Sequence, residues 1–164
     1  MSNLKELEKK YEELGEEIAR LKEEEKKNNV CKDCIFLLST EEYERYKDKI
    51  PYIKCLWWLR SPGDNAYRAA YVGNDGVARS SGISITDILD AVRPALRIIP
   101  GQWRPTDRDD RIFRCGMTWI KIDENLYIAE VPIAFIRFDK KSNNYNTSEI
   151  RQFLLDWCNK RRNW

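Results

Sequence analysis

Residues 55–78 read CLWWLRSPGDNAYRAAYVGNDGVA, and two strand-and-turn signals follow one another within them. Cys55 to Arg60 is a short apolar run of strand type, and Ser61-Pro62-Gly63-Asp64 is a turn. Ala69-Ala70-Tyr71-Val72 then meets Val77-Ala78 across Gly73-Asn74-Asp75-Gly76 as a hairpin. Short strands joined by turns point to a sheet built from local pairings. The residues on either side decide what covers it.

Upstream, Ile35-Phe36-Leu37-Leu38 is another apolar run. Ser39-Thr40-Glu41-Glu42 is a capping box that opens a helix carrying Tyr43 and Tyr46 before Pro51 ends it. Downstream, Thr86 or Asp87 is placed to cap a brief helix through Ala91, which Pro94 stops. Pro100 to Asp110 has no apolar period and reads as an exposed connector. Beyond it, Met117–Ile122 and Leu126–Val131 flank Asp123-Glu124-Asn125 as a second hairpin, and Ile133–Phe138 supplies a further strand. Asn146, with Glu149 three residues later, is placed to cap a final helix. Its Ile150, Phe153, Leu154, Trp157 and Cys158 share one face, to be buried against the sheet. Mixed short strands with two or three helices on one side give an α+β domain over residues 30–164.

Residues 1–29 follow a different period. Leu4, Leu7, Tyr11, Leu14, Ile18 and Leu21 alternate three and four residues apart, with Glu, Lys and Arg between them, which is a coiled-coil seam. Such a helix serves either to join copies of the chain into a homo-oligomer or to lie on the chain's own domain. The narrow two-in-seven stripe favours the first. Beyond Leu21 the next seam position is Glu25, and Asn28-Asn29 are expected to break the helix.

Composition removes several function classes. The 164 residues include six Trp, eight Tyr and five Phe but no histidine, so the usual general base, the His-dependent nucleophile systems and the commonest metal ligand are absent. The net charge is +2, with −2 over residues 1–30 and +4 over the rest, which disfavours duplex nucleic acid as a partner. No apolar run is long enough to span a membrane, and the start lacks the apolar stretch of a secretory leader. With five cysteines, an odd number, the expectation is reduced thiols in a cytosol.

Several of these motifs occur together in one family. Trp57-Trp58-Leu59-Arg60-Ser61-Pro62-Gly63, Ala69-Ala70-Tyr71-Val72, Asp75-Gly76 and Val92-Arg93-Pro94-Ala95-Leu96, preceded by Ile35-Phe36-Leu37-Leu38-Ser39, resemble an uncharacterised domain family. Its signature is WWLRSPG, AAYV, DG and VRPAL, and it is frequent in low-GC Gram-positive bacteria and their phages. The plan is similar to C-type-lectin-like modules, including formylglycine-generating-enzyme relatives and the variable proteins of diversity-generating retroelements. Gly116, Trp119, Ile122 and Asp123, then Tyr145, Ser148, Ile150, Arg151 and Leu154, resemble the family's N-terminal half, here placed second. Either the two halves, 35–98 and 112–158, are permuted within one chain, or each chain borrows a half from a neighbour. The length of the connector favours the first.

Candidate chemistry is sparse. Cys31-Lys32-Asp33-Cys34 is half of a zinc site by spacing, to be completed by Cys55, Cys115 or Cys158 or by the same pair from another chain; two plain, partly buried thiols are the simpler reading, and no metal or other cofactor is expected. Between Cys55 and Cys115 every basic residue is arginine, and aromatic residues lie among them. Guanidinium forks bind carboxylates and phosphates in paired hydrogen bonds and stack on rings, so this stretch could grip an anion. The acids in the same stretch would compete for the same forks. The candidate ligand-binding residues are Trp57, Trp58, Arg60, Ser61, Tyr67, Arg68, Tyr71, Asn74, Arg79 and Arg93. Trp57 and Trp58 point to opposite faces of a strand, so one is expected in the core and the other near the surface.

The sequence thus leads to a non-catalytic ligand-binding protein: a lectin-like α+β domain multiplied by an N-terminal coiled coil. The resemblance implies a phage or prophage accessory protein in the bacterial cytoplasm, an inhibitor or sponge for a bacterial defence protein or a small anionic signal molecule. The alternative is a lectin-like surface or virion recognition module that binds glycan or protein. An enzyme using Cys55 or Cys115 as nucleophile is a third possibility, weakened by the lack of histidine.

Overall fold

The computed structural model describes residues 2–98 and 110–161, with backbone alone for Ser2 and for residues 24–33. The expected connector therefore lies outside the described residues apart from Asp110. Two compact units divide the chain, Met1–Asp33 and Cys34–Trp164.

The first unit is helix α1, Ser2–Cys34, which runs through Asn28 and Asn29. The expected break there is corrected. Asparagine costs only a few tenths of a kcal/mol more than the best helix formers in a helix interior, and with no Pro or Gly between Leu21 and Cys34 nothing there forces a stop. Leu4, Leu7, Tyr11, Leu14, Ile18 and Leu21 are all exposed, none less than 49%.

The second unit is α+β, its described residues forming ten short strands in two five-stranded sheets. Sheet A contains β1 (Ile35–Phe36), β6 (Ala95–Arg97), β9 (Leu126–Ala129), β8 (Met117–Asp123) and β7 (Arg111–Arg114), adjacent in that order and all antiparallel. Sheet B contains β10 (Ala134–Phe135), β5 (Ala91–Val92), β2 (Trp57–Pro62), β3 (Arg68–Val72) and β4 (Ala78–Ser84), with a single parallel pair, β2 with β5. Two helices complete the unit: α2, Thr40–Tyr46, continued by a 3₁₀ turn over Lys47–Lys49, and α3, Glu149–Lys160.

The expected hairpins form. Val72 pairs with Ala78 across the turn in which Gly76 has φ +76°, and Asp123 pairs with Leu126 beside Asn125, which adopts φ +57°. At the β2–β3 turn the backbone of Gly63 lies against β4, where a Cβ would stand 2.6 Å from the Ser81 carbonyl oxygen. Only glycine fits there.

One core joins the sheets. Trp57, Leu59, Ala70, Val72 and Ala91 of sheet B meet Ala95, Ile122, Leu126 and Ile128 of sheet A, and Leu38 and Tyr43 close the cluster. Alternation along the strands sends the intervening residues to the opposite faces. There Trp119 meets Trp157 of α3 edge to face at 6.4 Å, and Trp58 meets Phe138 at 5.6 Å. On α3, Ile150, Leu154, Trp157 and Cys158 are buried on one side.

Three local expectations are corrected. No helix forms over Thr86–Ala91. The Asp87 carboxylate instead accepts from the Leu89 N–H, and Ala91 and Val92 are taken into sheet B. The cap of α3 is Ser148, whose hydroxyl accepts from the Arg151 N–H, whereas Asn146 lies within a preceding 3₁₀ turn, Tyr145–Thr147. The run Ile133–Phe138 contributes only two residues as strand, and from there Phe138 turns inward against Trp58.

Candidate functional site

The proposed binding residues are distributed over the second unit rather than gathered in one place. Trp57 and Trp58 are both buried, which corrects the expectation that one lies near the surface. Their strand is the middle one of sheet B, and both of its faces are covered. Trp57 packs edge to face on Tyr43, while the Trp58 indole N–H donates to the Ile136 carbonyl at 2.9 Å.

Arg60 and Ser61 line a groove with Asn143, Asn144, Tyr145 and Asn146. The Arg60 guanidinium forms a forked pair with Glu42, donates to the Leu37 carbonyl at 2.8 Å and stacks over Phe36. Glu42 is also the third helical residue of the capping box, accepting from the Ser39 N–H at 2.8 Å. Burial pushes the Glu42 carboxyl up, but the hydrogen bonds from Arg60 and Ser39 outweigh it and hold the group below the ordinary carboxylate range. Ser61 receives the Thr40 N–H on its hydroxyl. Arg60 and Ser61 therefore fasten α2 to β2.

Tyr67 and Arg68 line a second groove beside Gly82, Ile83 and Ser84, and Arg68 stands 3.9 Å from Asp64. Arg79 holds Asp75 through two hydrogen bonds, which lower that carboxyl to about 2. Tyr71 lies opposite Arg79 across the β3–β4 pair, and the Asn74 carbonyl accepts from the Tyr52 hydroxyl. The anion-gripping capacity of Arg60 and Arg79 is thus already engaged by carboxylates of the chain.

Arg93 differs. It lines a cleft of about 240 Å³ with Tyr43, Lys47, Tyr52, Trp57 and Val72, between the α2 region and sheet B. Its partners are two backbone carbonyls and the face of Trp57. Tyr43, Lys47 and Tyr52 are not among the residues expected from sequence. Pro51-Tyr52 directly after a capped helix is the signal that marks a chain reversal there, but its proximity to Arg93 follows only from the fold.

Cys55 is half-buried, and burial raises its thiol above the ordinary range, away from a nucleophilic thiolate. Among the described residues no three Cys, Asp or Glu side chains cluster as metal ligands, and the side chain of Cys31 lies outside them. No described helix is long and apolar enough to cross a membrane.

Compared with known families, residues 7–100 match the model of a domain of unknown function, DUF6273. No curated protein and no solved structure matches the chain.

Proposed function

Because that match takes in more than half of the chain, the protein belongs to the DUF6273 family, and from this premise we propose that it is a multivalent, non-catalytic ligand-binding protein. Its first unit would gather several copies, and its second unit, for which a C-type-lectin-like description is part of the proposal, would hold the ligand. Support for that description is general: two small sheets of short strands flanked by two helices.

The observation that carries the proposal is the seam of α1. Six large apolar side chains, Leu4 to Leu21, are exposed on a heptad spacing, and charged residues occupy most of the intervening positions. A second copy of the same helix offers the matching stripe. Joining heads in this way raises avidity without new contacts at the ligand.

In an infected bacterium such a protein would act by stoichiometric capture, as an inhibitor of a defence protein or a sponge for a small anionic signal. The signature motifs shared with phage-associated domains support that setting.

The test is native mass spectrometry of the full chain beside the variant Leu7→Lys, Leu14→Lys. The wild type should appear as a discrete oligomer and the variant as a monomer with unchanged tryptophan emission, since every tryptophan lies beyond residue 56. A monomeric wild type at micromolar concentration would refute the multivalent reading.

A further inference from the structure

Arg93 is 1% exposed, yet no acid of the described residues pairs with it. Its Nε donates to the Ala129 carbonyl at 2.9 Å and its Nη1 to the Pro51 carbonyl at 2.8 Å. The guanidinium carbon stands 5.3 Å from the Trp57 ring centre. Among the described residues Nη2 meets no acceptor. A buried cation held only by neutral groups is costly, and an orphaned N–H adds to the cost. Elsewhere the same unit pairs its arginines with acids: Arg60 with Glu42, Arg79 with Asp75, Arg111 with Glu130, Arg137 with Glu149. Arg93, almost fully buried, has no such acid beside it among the described residues, and it lines an aromatic cleft.

The cleft limits what could supply the missing charge. Its volume, about 240 Å³, is below the usual range for drug-sized pockets and favours a small ligand. Tyr43, Trp57, Ile50, Ile53 and Val72 give it apolar walls. The Tyr43 and Tyr52 hydroxyls already donate to the Gly76 and Asn74 carbonyls, and Lys47 is held by Glu44 at 2.7 Å. Few donors remain for the several oxygens of a phosphate. A carboxylate needs fewer, and a short apolar body behind it suits the walls.

We infer that the cleft floored by Arg93 is a binding site for a small organic monocarboxylate, whose oxygen accepts from Nη2 while its apolar portion packs among Tyr43, Trp57 and Val72. This deepens the ligand-binding reading of the second unit and rests on it, but it does not depend on the oligomeric state. Burial lowers the Arg93 pKa only to about 10, so the guanidinium remains charged at neutral pH. Tyr52, 61% exposed and tethered by one hydrogen bond, is the lining side chain that gives way on entry.

The test is an NMR titration of the full chain labelled with ¹⁵N-arginine, using sodium benzoate, its neutral isostere benzamide, and inorganic phosphate at constant ionic strength. Benzoate should shift the Arg93 side-chain resonance saturably and leave Arg60 and Arg79 in place, with benzamide at least tenfold weaker. Arg93→Lys should weaken benzoate binding at least tenfold, and the wild-type titration decides the matter where that variant does not fold. An unmoved Arg93 resonance at saturating benzoate would overturn the site. Equal binding of benzamide would overturn the role of charge, and phosphate binding as tightly as benzoate would overturn the ligand class. Each of these failures leaves the oligomer measurement untouched, so a wrong ligand and a wrong assembly are told apart.

Discussion

Glu42 and Asp90 are carboxyl groups of one small unit that respond to pH in opposite directions. Glu42 is held below the ordinary range by Arg60 and Ser39, so the stability it contributes is present at neutral pH and lost as pH falls through its folded pKa. Asp90 is 2% exposed, and among the described residues its Oδ2 meets no hydrogen-bond donor. Burial, reinforced by the nearby Asp87 charge, raises it from 3.8 to about 7. The folded state then binds a proton that the unfolded chain has released, so Asp90 favours folding below pH 4 and progressively opposes it up to about pH 7. A shift of this size corresponds to on the order of 4 kcal/mol. Asp90→Asn cannot ionise. Its urea midpoint should therefore exceed that of the wild type above pH 7, and the difference should shrink steadily between pH 7 and pH 4. Parallel midpoint profiles for the two proteins would show that Asp90 does not titrate in this range.

At the level of elements, caps were the most legible signal where the spacing was unambiguous and the least where two candidates stood close together. Ser39 and Glu42 form the reciprocal box that their spacing implies, because every atom involved lies within four residues. Ahead of α3, Asn146 and Ser148 are both cap-type residues. Tertiary contacts select the second: Asn143 is fixed by the Asn65 and Arg68 carbonyls, and the Tyr145 hydroxyl receives the Leu37 N–H, so the chain cannot enter the helix until Ser148. Ser148→Ala should therefore cost about 1 kcal/mol, the usual value of a lost cap, and Asn146→Ala less than about 0.5 kcal/mol. Thermal unfolding of the two variants measures this, and a larger loss for Asn146→Ala would restore the cap to that residue. The short helix expected over Thr86–Ala91 failed for a related reason. Its cap-type Asp87 forms a local turn instead, and Ala91 pairs with both Trp57 and Phe135, partners that no local pattern announces.

Across the whole second unit, residue type was visible in the sequence but the number of partners was not. The arginine-rich stretch was evident. That Glu42 engages Arg60, that Asp75 engages Arg79, and that Arg93 has carbonyls and the Trp57 ring depends on contacts spanning up to 42 residues. The two tryptophans were legible as strand residues, but burial of both requires knowing that β2 is central. The relation of the two halves is set at the same scale. Each sheet contains strands from before and after the undescribed 99–109 segment: β9 pairs with β6, and β10 pairs with β5, in this one chain. Ile128 lies at the centre of that arrangement, opposite Ala95 on one side and Ile120 on the other, fully buried in the cluster that also contains Trp57 and Leu59. A core shared in this way leaves neither half with a hydrophobic interior of its own, so the unit should unfold as one. Ile128→Ala removes volume from sheet A and should cost about 2–5 kcal/mol. Hydrogen exchange under mild urea should show that loss equally at amides of sheet A, such as Ile120, and of sheet B, such as Ala70 and Val72. If protection fell at Ile120 and its neighbours in residues 112–158 but not at Ala70 and Val72, the halves would be separate folding units that meet only at their edges, and pairing with a neighbouring chain's half would become the better account of the molecule.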